Sequence, residues 1–204
     1  RNYSLYLFDE GDKVRQVLAP PFKVFGEAEG KSIIRVINGN PDYEGITVAF
    51  GAREVESEDG LKYGETIARD VKFGNTSGIG IFESGFSPIT VFASTQPAKY
   101  ITGVNYDLKK DRSYTMVLYK KEDGTPGFTI IEDRDEDTPV TEIEAGVFVQ
   151  VVNGVAGPES VRIGLEPLIS ESDNELFYGL NFATVIPTGT TEITVNGKKK
   201  TIDI

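Results

Sequence analysis

One stretch of this chain occurs twice, and whatever fold accommodates the first copy must accommodate the second. Residues 32–50, SIIRVINGNPDYEGITVAF, align without a gap with residues 147–165, VFVQVVNGVAGPESVRIGL, at a spacing of 115. Ile33, Ile34, Val36 and Ile37 match Phe148, Val149, Val151 and Val152, Asn38-Gly39 matches Asn153-Gly154, and Ile46, Val48 and Phe50 match Val161, Ile163 and Leu165. A second block, IFESGFSPITV at 81–91, aligns with VIPTGTTEITV at 185–195 at a spacing of 104. Copy one therefore carries an insertion between the blocks. It falls within 65–80, because Tyr63-Gly64 still matches Tyr178-Gly179, and its Gly-rich GNTSGIG reads as an extended loop.

A third match links the ends. Residues 1–10, RNYSLYLFDE, resemble 112–121, RSYTMVLYKK: Tyr3, Leu5, Leu7 and Phe8 align with Tyr114, Met116, Leu118 and Tyr119. Both runs lead into an acid-Gly turn, at Asp9-Glu10-Gly11 and Glu122-Asp123-Gly124, and then into another short apolar run. The N-terminal strands thus look like the end of a module, and the second copy like a module without its last strands.

The segments read as strands. Val, Ile and Thr each outnumber Leu and Ala, and β-branched side chains suit a pleated surface better than a helix. Period-two alternation or short apolar runs bounded by Gly, Asn, Asp and Pro mark strands near 3–8, 13–18, 32–38, 45–50, 87–94, 99–104, 113–120 and 127–132. In copy two they fall near 147–153, 160–165, 182–187, 190–195 and 198–203, with Asn196-Gly197 as a two-residue hairpin turn. Strands at this spacing, in units of about 100 residues, predict an all-β chain of two tandem immunoglobulin-like β-sandwich modules related by duplication. The organisation expected is 1–25 as terminal strands of a module, either donated to a neighbour or completing copy two, 26–132 as copy one, 133–146 as an acidic linker and 147–204 as copy two without its last strands. Ile33, Val36, Val48, Ile89 and Val91 are expected to be buried together with their copy-two partners, since one buried face fixes the register.

The repeated pattern carries a resemblance. A strand ending in Val-Ile-Asn-Gly or Val-Val-Asn-Gly, a Tyr-Gly turn, an Ile-Thr-Val strand and a Tyr-Thr-x-x-Leu strand together resemble the bacterial domain-of-unknown-function 4397 family. The resemblance implies tandem β-sandwiches in a secreted or cell-surface protein, and no catalytic residues to carry over. Pro187-Thr188-Gly189 keeps the family's small-residue turn better than Glu83-Ser84-Gly85. A signal peptide is absent from the sequence in hand, and no apolar run reaches the length of a membrane span.

Several chemistries are excluded outright. The chain has no His and no Cys, so imidazole general bases, thiolate nucleophiles, disulfides and zinc–thiolate centres are unavailable. A net charge of −11 repels phosphate backbones and makes nucleic acid an unsuitable partner. Asp133, Asp135 and Asp137 have the alternate spacing that opens a calcium loop, which leaves calcium as the one cofactor to consider. The loop should continue to a Gly and a bidentate Glu; Thr138 and Pro139 follow instead, so a solvated linker is expected. The 65–80 stretch offers Asp70, Lys72, Asn75, Thr76 and Ser77 without an evident nucleophile–base pair. No catalysis is expected.

Two functions remain. One is a structural or adhesive cell-surface protein that self-associates through an open sheet edge, in its most specific form a filament subunit whose Tyr3, Leu5 and Leu7 strand is donated to a neighbour. The other is a sandwich that binds glycan or peptide.

Overall fold

The computed structural model describes residues 3–22, 29–54, 63–95, 98–133, 139–143, 146–154, 156, 160–166, 175–177 and 181–203. Every helix- or strand-length element among them is a strand, eighteen in all. None is a helix long and apolar enough to cross a membrane.

Two sheets pack face to face in the first half. One runs β12 (Val140–Ile143), β11 (Pro126–Asp133), β10 (Arg112–Lys120), β3 (Ser32–Gly39), with the short β6 (Asn75–Thr76) and β7 (Gly80–Phe82) on the far edge of β3. The other runs β5 (Tyr63–Lys72), β4 (Gly45–Glu54), β8 (Gly85–Ala93), β9 (Lys99–Leu108). β10 lies parallel to β3, with Tyr114, Met116 and Leu118 opposite Ile34, Val36 and Asn38. Alternation then sends one set of side chains inward. Ile34, Val36, Tyr114, Met116, Leu118, Phe128 and Ile130 meet Ile46, Val48, Phe50, Ile89 and Val91 in a single core. A second, smaller pair of sheets follows. β13 (Gly146–Val152) pairs with β16 (Asn181–Pro187), and β15 (Glu175–Leu176), β14 (Val161–Glu166), β17 (Thr190–Val195) and β18 (Lys198–Asp203) form the facing sheet. Val161, Ile163 and Leu176 are buried there, with Val151 packed on them.

The matched sequence blocks carry the same strand registers. Ser32, Ile33 and Ile34 face Phe82, Ile81 and Gly80, and their matches Val147, Phe148 and Val149 face Ile186, Val185 and Thr184. Val48 and Phe50 face Val91 and Ile89, as Ile163 and Leu165 face Val195 and Ile193. The paired Asn residues also act alike. Asn38 is buried and donates from Nδ2 to the carbonyls of Tyr43 and Val71 at 2.9 and 3.1 Å. Asn153, also buried, donates to the carbonyl of Leu176 at 2.9 Å.

Burial follows expectation in copy one, where Ile33, Val36, Val48, Ile89 and Val91 are all buried. In copy two Ile163 is buried, Phe148, Val151 and Ile193 are half-buried, and Val195 is exposed. Among the described residues the opposing β13–β16 sheet has two strands, too few to cover the end of β17.

Three expectations need correction. The 65–80 insertion is not a loop throughout, since β5 runs to Lys72. Its register against β4 shifts between Ile46 and Val48 and again before Ala49, and Asp70 takes a positive φ of 50°. These bulges break the alternation that would have marked the strand. The 133–146 stretch is not simply a linker. Asp133 ends β11, and Val140–Ile143 form β12, which pairs with β11 and buries Ile143 in the core. An unpaired β11 edge gives this short alternating segment its hydrogen-bond partners. Third, of the alternatives open for the N-terminal strands, completion of copy two within the same chain is not the arrangement found. β1 (Ser4–Asp9) pairs with β2 (Val14–Ala19), and that hairpin packs on the first half.

Removing Asn38 leaves the Tyr43 and Val71 carbonyls without their buried donor, which costs about 1–3 kcal/mol. Asn38→Ala is expected to lower the urea midpoint accordingly, and Asn153→Ala to act in the same direction.

Candidate functional site

The outer face of β3 is polar at one point. Arg35 sits within the apolar run SIIRVING, and alternation sends it away from the core that holds Ile34 and Val36. It is only 1% exposed, and a buried guanidinium requires partners. Nε donates to Thr115 Oγ1 at 2.9 Å, and that hydroxyl donates to Asp133 Oδ2 at 3.0 Å. Nη2 lies 3.8 Å from Asp133 Oδ2. Nη1 donates to the Pro20 carbonyl, and the guanidinium lies 4.3 Å from the centroid of the Phe22 ring. Arg35 therefore ties the segment after β2 to the sheet. A lone charge inside an apolar strand is the sequence signal for such a residue.

The tie settles where the β1–β2 hairpin lies. Phe8 and Val17 pack with Ile37 and Val117, flanked by Tyr6, Tyr119 and Ile131. Phe8 stands over Gly39 so closely that a Cβ there would fall 2.0 Å from the ring. That close approach is why the Asn38-Gly39 pair needs its glycine. At the matching Gly154 no atom of the described residues lies within 4 Å of such a Cβ.

The other face of the hairpin is uncovered. Leu5, Leu7 and Leu18 are 56%, 60% and 60% exposed, and Tyr3 and Val14 are exposed beside them. Leu5 faces Leu18 and Leu7 faces Gln16 across the hairpin. The aligned residues Met116 and Leu118 face Ile130 and Phe128 in the β10–β11 hairpin, and all four are fully buried in the core. β1 thus matches β10, and the face that β10 buries β1 exposes. Contiguous exposed apolar side chains of this kind mark an interaction surface.

Between the hairpin and β10–β11 runs a groove of about 650 Å³, whose walls include Tyr6, Asp9, Tyr119, Lys120, Glu122 and Glu142. Tyr side chains and carboxylates beside it can bind polar ligands.

The second half grips the first through β9. Tyr100 Oη donates to the Gly146 carbonyl at 2.6 Å, and burial pushes this phenol well above its ordinary range. Asn105 Nδ2 donates to the Val185 carbonyl at 2.7 Å. Gly103 lies between them, where a Cβ would meet Val185 Cγ2 at 3.0 Å and the Ile89 carbonyl oxygen at 2.8 Å.

The remaining sequence candidates are not brought together as a site. Asp133 is engaged by Thr115 and Arg35, while Asp135 and Asp137 lie outside the described residues. Among the described residues no three acidic side chains are placed to hold a metal ion. In the 65–80 stretch Asp70 accepts from Lys72 Nζ at 3.0 Å, and the Thr76 and Ser77 hydroxyls donate to the carbonyls of Ser77 and Gly78.

An all-β chain of packed sheets, tied at its outer faces by a hairpin and a two-stranded ribbon, is a β-sandwich-like protein. The family model described as Domain of unknown function (DUF4397) matches residues 32–164, more than half of the chain, and the chain belongs to that family. No curated protein matches it.

Burial holds the Asp133 carboxyl above its ordinary value of 3.8, outweighing the Thr115 hydroxyl and Arg35. The folded state then binds this proton more tightly than the unfolded chain does. The stability it contributes is full below the unfolded value and lost as pH rises through the folded one. Urea unfolding across that acid range should therefore show the wild type losing ground to Asp133→Asn as pH rises.

Proposed function

We propose that this is a non-catalytic structural or adhesive protein of a bacterial cell surface, built of two tandem immunoglobulin-like sandwiches related by duplication, that assembles with other copies of itself. The shared registers of the matched blocks support the duplication. The family resemblance supports the extracytoplasmic setting. One observation carries the assembly: Leu5, Leu7 and Leu18 are exposed on a hairpin whose aligned counterpart buries Met116, Leu118 and Ile130. Burying each such side chain is worth about 1.5–3 kcal/mol, so a face of several favours a partner.

The experiment is light scattering over a concentration series. The wild type is expected to exceed its 22.3 kDa chain mass, and the Leu5→Asp/Leu7→Asp variant to stay monomeric. Both positions are exposed, so the variant's stability should stay within about 0.5 kcal/mol of wild type. A variant that assembles like the wild type refutes the reading.

The groove beneath the hairpin favours a second function, binding of a glycan or extended peptide by Tyr6 and Tyr119. The chain has nine Tyr and no Trp, so tyrosine emission during titration with oligosaccharides and peptides reports it, and Tyr119→Ala should abolish the change.

A further inference from the structure

We infer that the β1–β2 hairpin of one copy docks on the open edge of β13 in a second copy, with β1 parallel to β13 and Tyr3 and Leu5 opposite Val149 and Val151. This rests on the self-assembly reading and names its partner surface. The acceptor comes from the same registers. β3 is paired on one side by β7 and on the other by β10. β13, which matches β3, has β16 in the place of β7, and among the described residues no strand occupies its other side. Transferring the β10–β3 register through the alignments sets Tyr3 beside Val149, Leu5 beside Val151 and Leu7 beside Asn153.

The position is accessible. Tyr100 bonds the Gly146 carbonyl and reaches the Phe148 backbone, whereas β1 would lie mainly alongside the stretch beyond, where Gln150 and Val152 are exposed. The donor needs no rearrangement either. Its anchored face holds Phe8 and Val17 against its own first sandwich, and the donated face is the opposite side of the same two strands. Leu5 and Leu7 would then extend the Val151, Val161, Ile163 and Leu176 core.

Charge favours the same orientation. The hairpin tip keeps a net negative charge: Asp9, Glu10 and Asp12 outnumber Lys13 and Arg15, the last paired with Glu10 at 3.4 Å. It would reach the end of the second half where Asn153 meets Leu176 and where Asn196 N–H bonds the Arg162 carbonyl. Arg162 and Lys198 are exposed there. In the first half the aligned β10 tip is held to the loop after β3 by a Lys120–Asp42 ion pair of 2.9 Å.

The chain has no cysteine, so a disulfide reports the register directly. Strands in a sheet are about 4.8 Å apart, within the range a disulfide spans. A Tyr3→Cys chain mixed with a Val149→Cys chain under oxidising conditions should give a covalent pair of twice the 22.3 kDa mass. At least tenfold less is expected when Val152→Cys, on the opposite face, replaces Val149→Cys. Leu5→Cys with Val151→Cys is the second pair, used if either variant loses the wild-type circular dichroism. Assemblies without these links, or links favouring Val152→Cys, overturn the docking while leaving self-assembly standing. A link formed within single chains of the Tyr3→Cys/Val149→Cys double variant also overturns it, because the hairpin then completes its own second half. A chain that is monomeric at every concentration removes the docking and the assembly reading together.

Discussion

A guanidinium buried in the outer face of β3 decides how this chain is arranged. Taking Arg35 out of water costs several kcal/mol unless its donors find acceptors. The sheet itself supplies the Thr115 hydroxyl and the segment after β2 the Pro20 carbonyl and the Phe22 ring, while Nη2 has no hydrogen-bond partner among the described residues and is held only by the Asp133 charge at 3.8 Å. The contribution of such a group lies more in placement than in net stability, since well-packed apolar replacements of buried ion pairs are often neutral. An apolar side chain would not capture a backbone carbonyl at that point. Arg35 does, and the hairpin that precedes Pro20 is held to one face of one sheet.

That attachment has a consequence at the other side of the hairpin. A two-stranded ribbon has two faces and two open edges, and isolated it is marginal in water. Packing Phe8 and Val17 on Ile37 and Val117 stabilises one face and leaves Leu5, Leu7 and Leu18 turned outward. The β13–β16 ribbon is in a comparable position. Tyr100 and Asn105 hold it on β9, and its own small core lies on its far side. The first pair of sheets is thus a closed body flanked by two ribbons, each with apolar surface or an edge left over. An exposed strand edge is a template for pairing, and the self-assembly proposed above would draw on the same physics that closes the first core.

Local pattern made much of this legible. Alternation and turn residues located most strands, and Asn196-Gly197 marked the β17–β18 hairpin. The aligned blocks anticipated equal registers because side-chain period two leaves no freedom to slip without turning every apolar residue to water. β5 escaped notice because its bulges break that period, and β12 because four residues within an acidic stretch carry too little pattern to stand out. The role of Arg35 is not legible in the sequence because its partners Thr115 and Asp133 are distant in the chain and adjacent only once β3, β10 and β11 are side by side.

The sequence by itself determined the strands, the matched registers and the chemistry that a chain without His or Cys must forgo. It also determined that Tyr3, Leu5 and Leu7 share one face of β1, and the structure pairs that strand with β2 so that Leu18 joins them and Tyr6, Phe8 and Val17 lie on the other face. Both faces are apolar, so periodicity could say which residues travel together but not which set is covered. Only the tertiary structure decided that. The Arg35 bonds to Pro20, the Phe22 ring and the glycine slot at Gly39 fit one face of the hairpin to the sheet. A contact between segments so far apart in the chain depends on where the whole sheet places its outer surface.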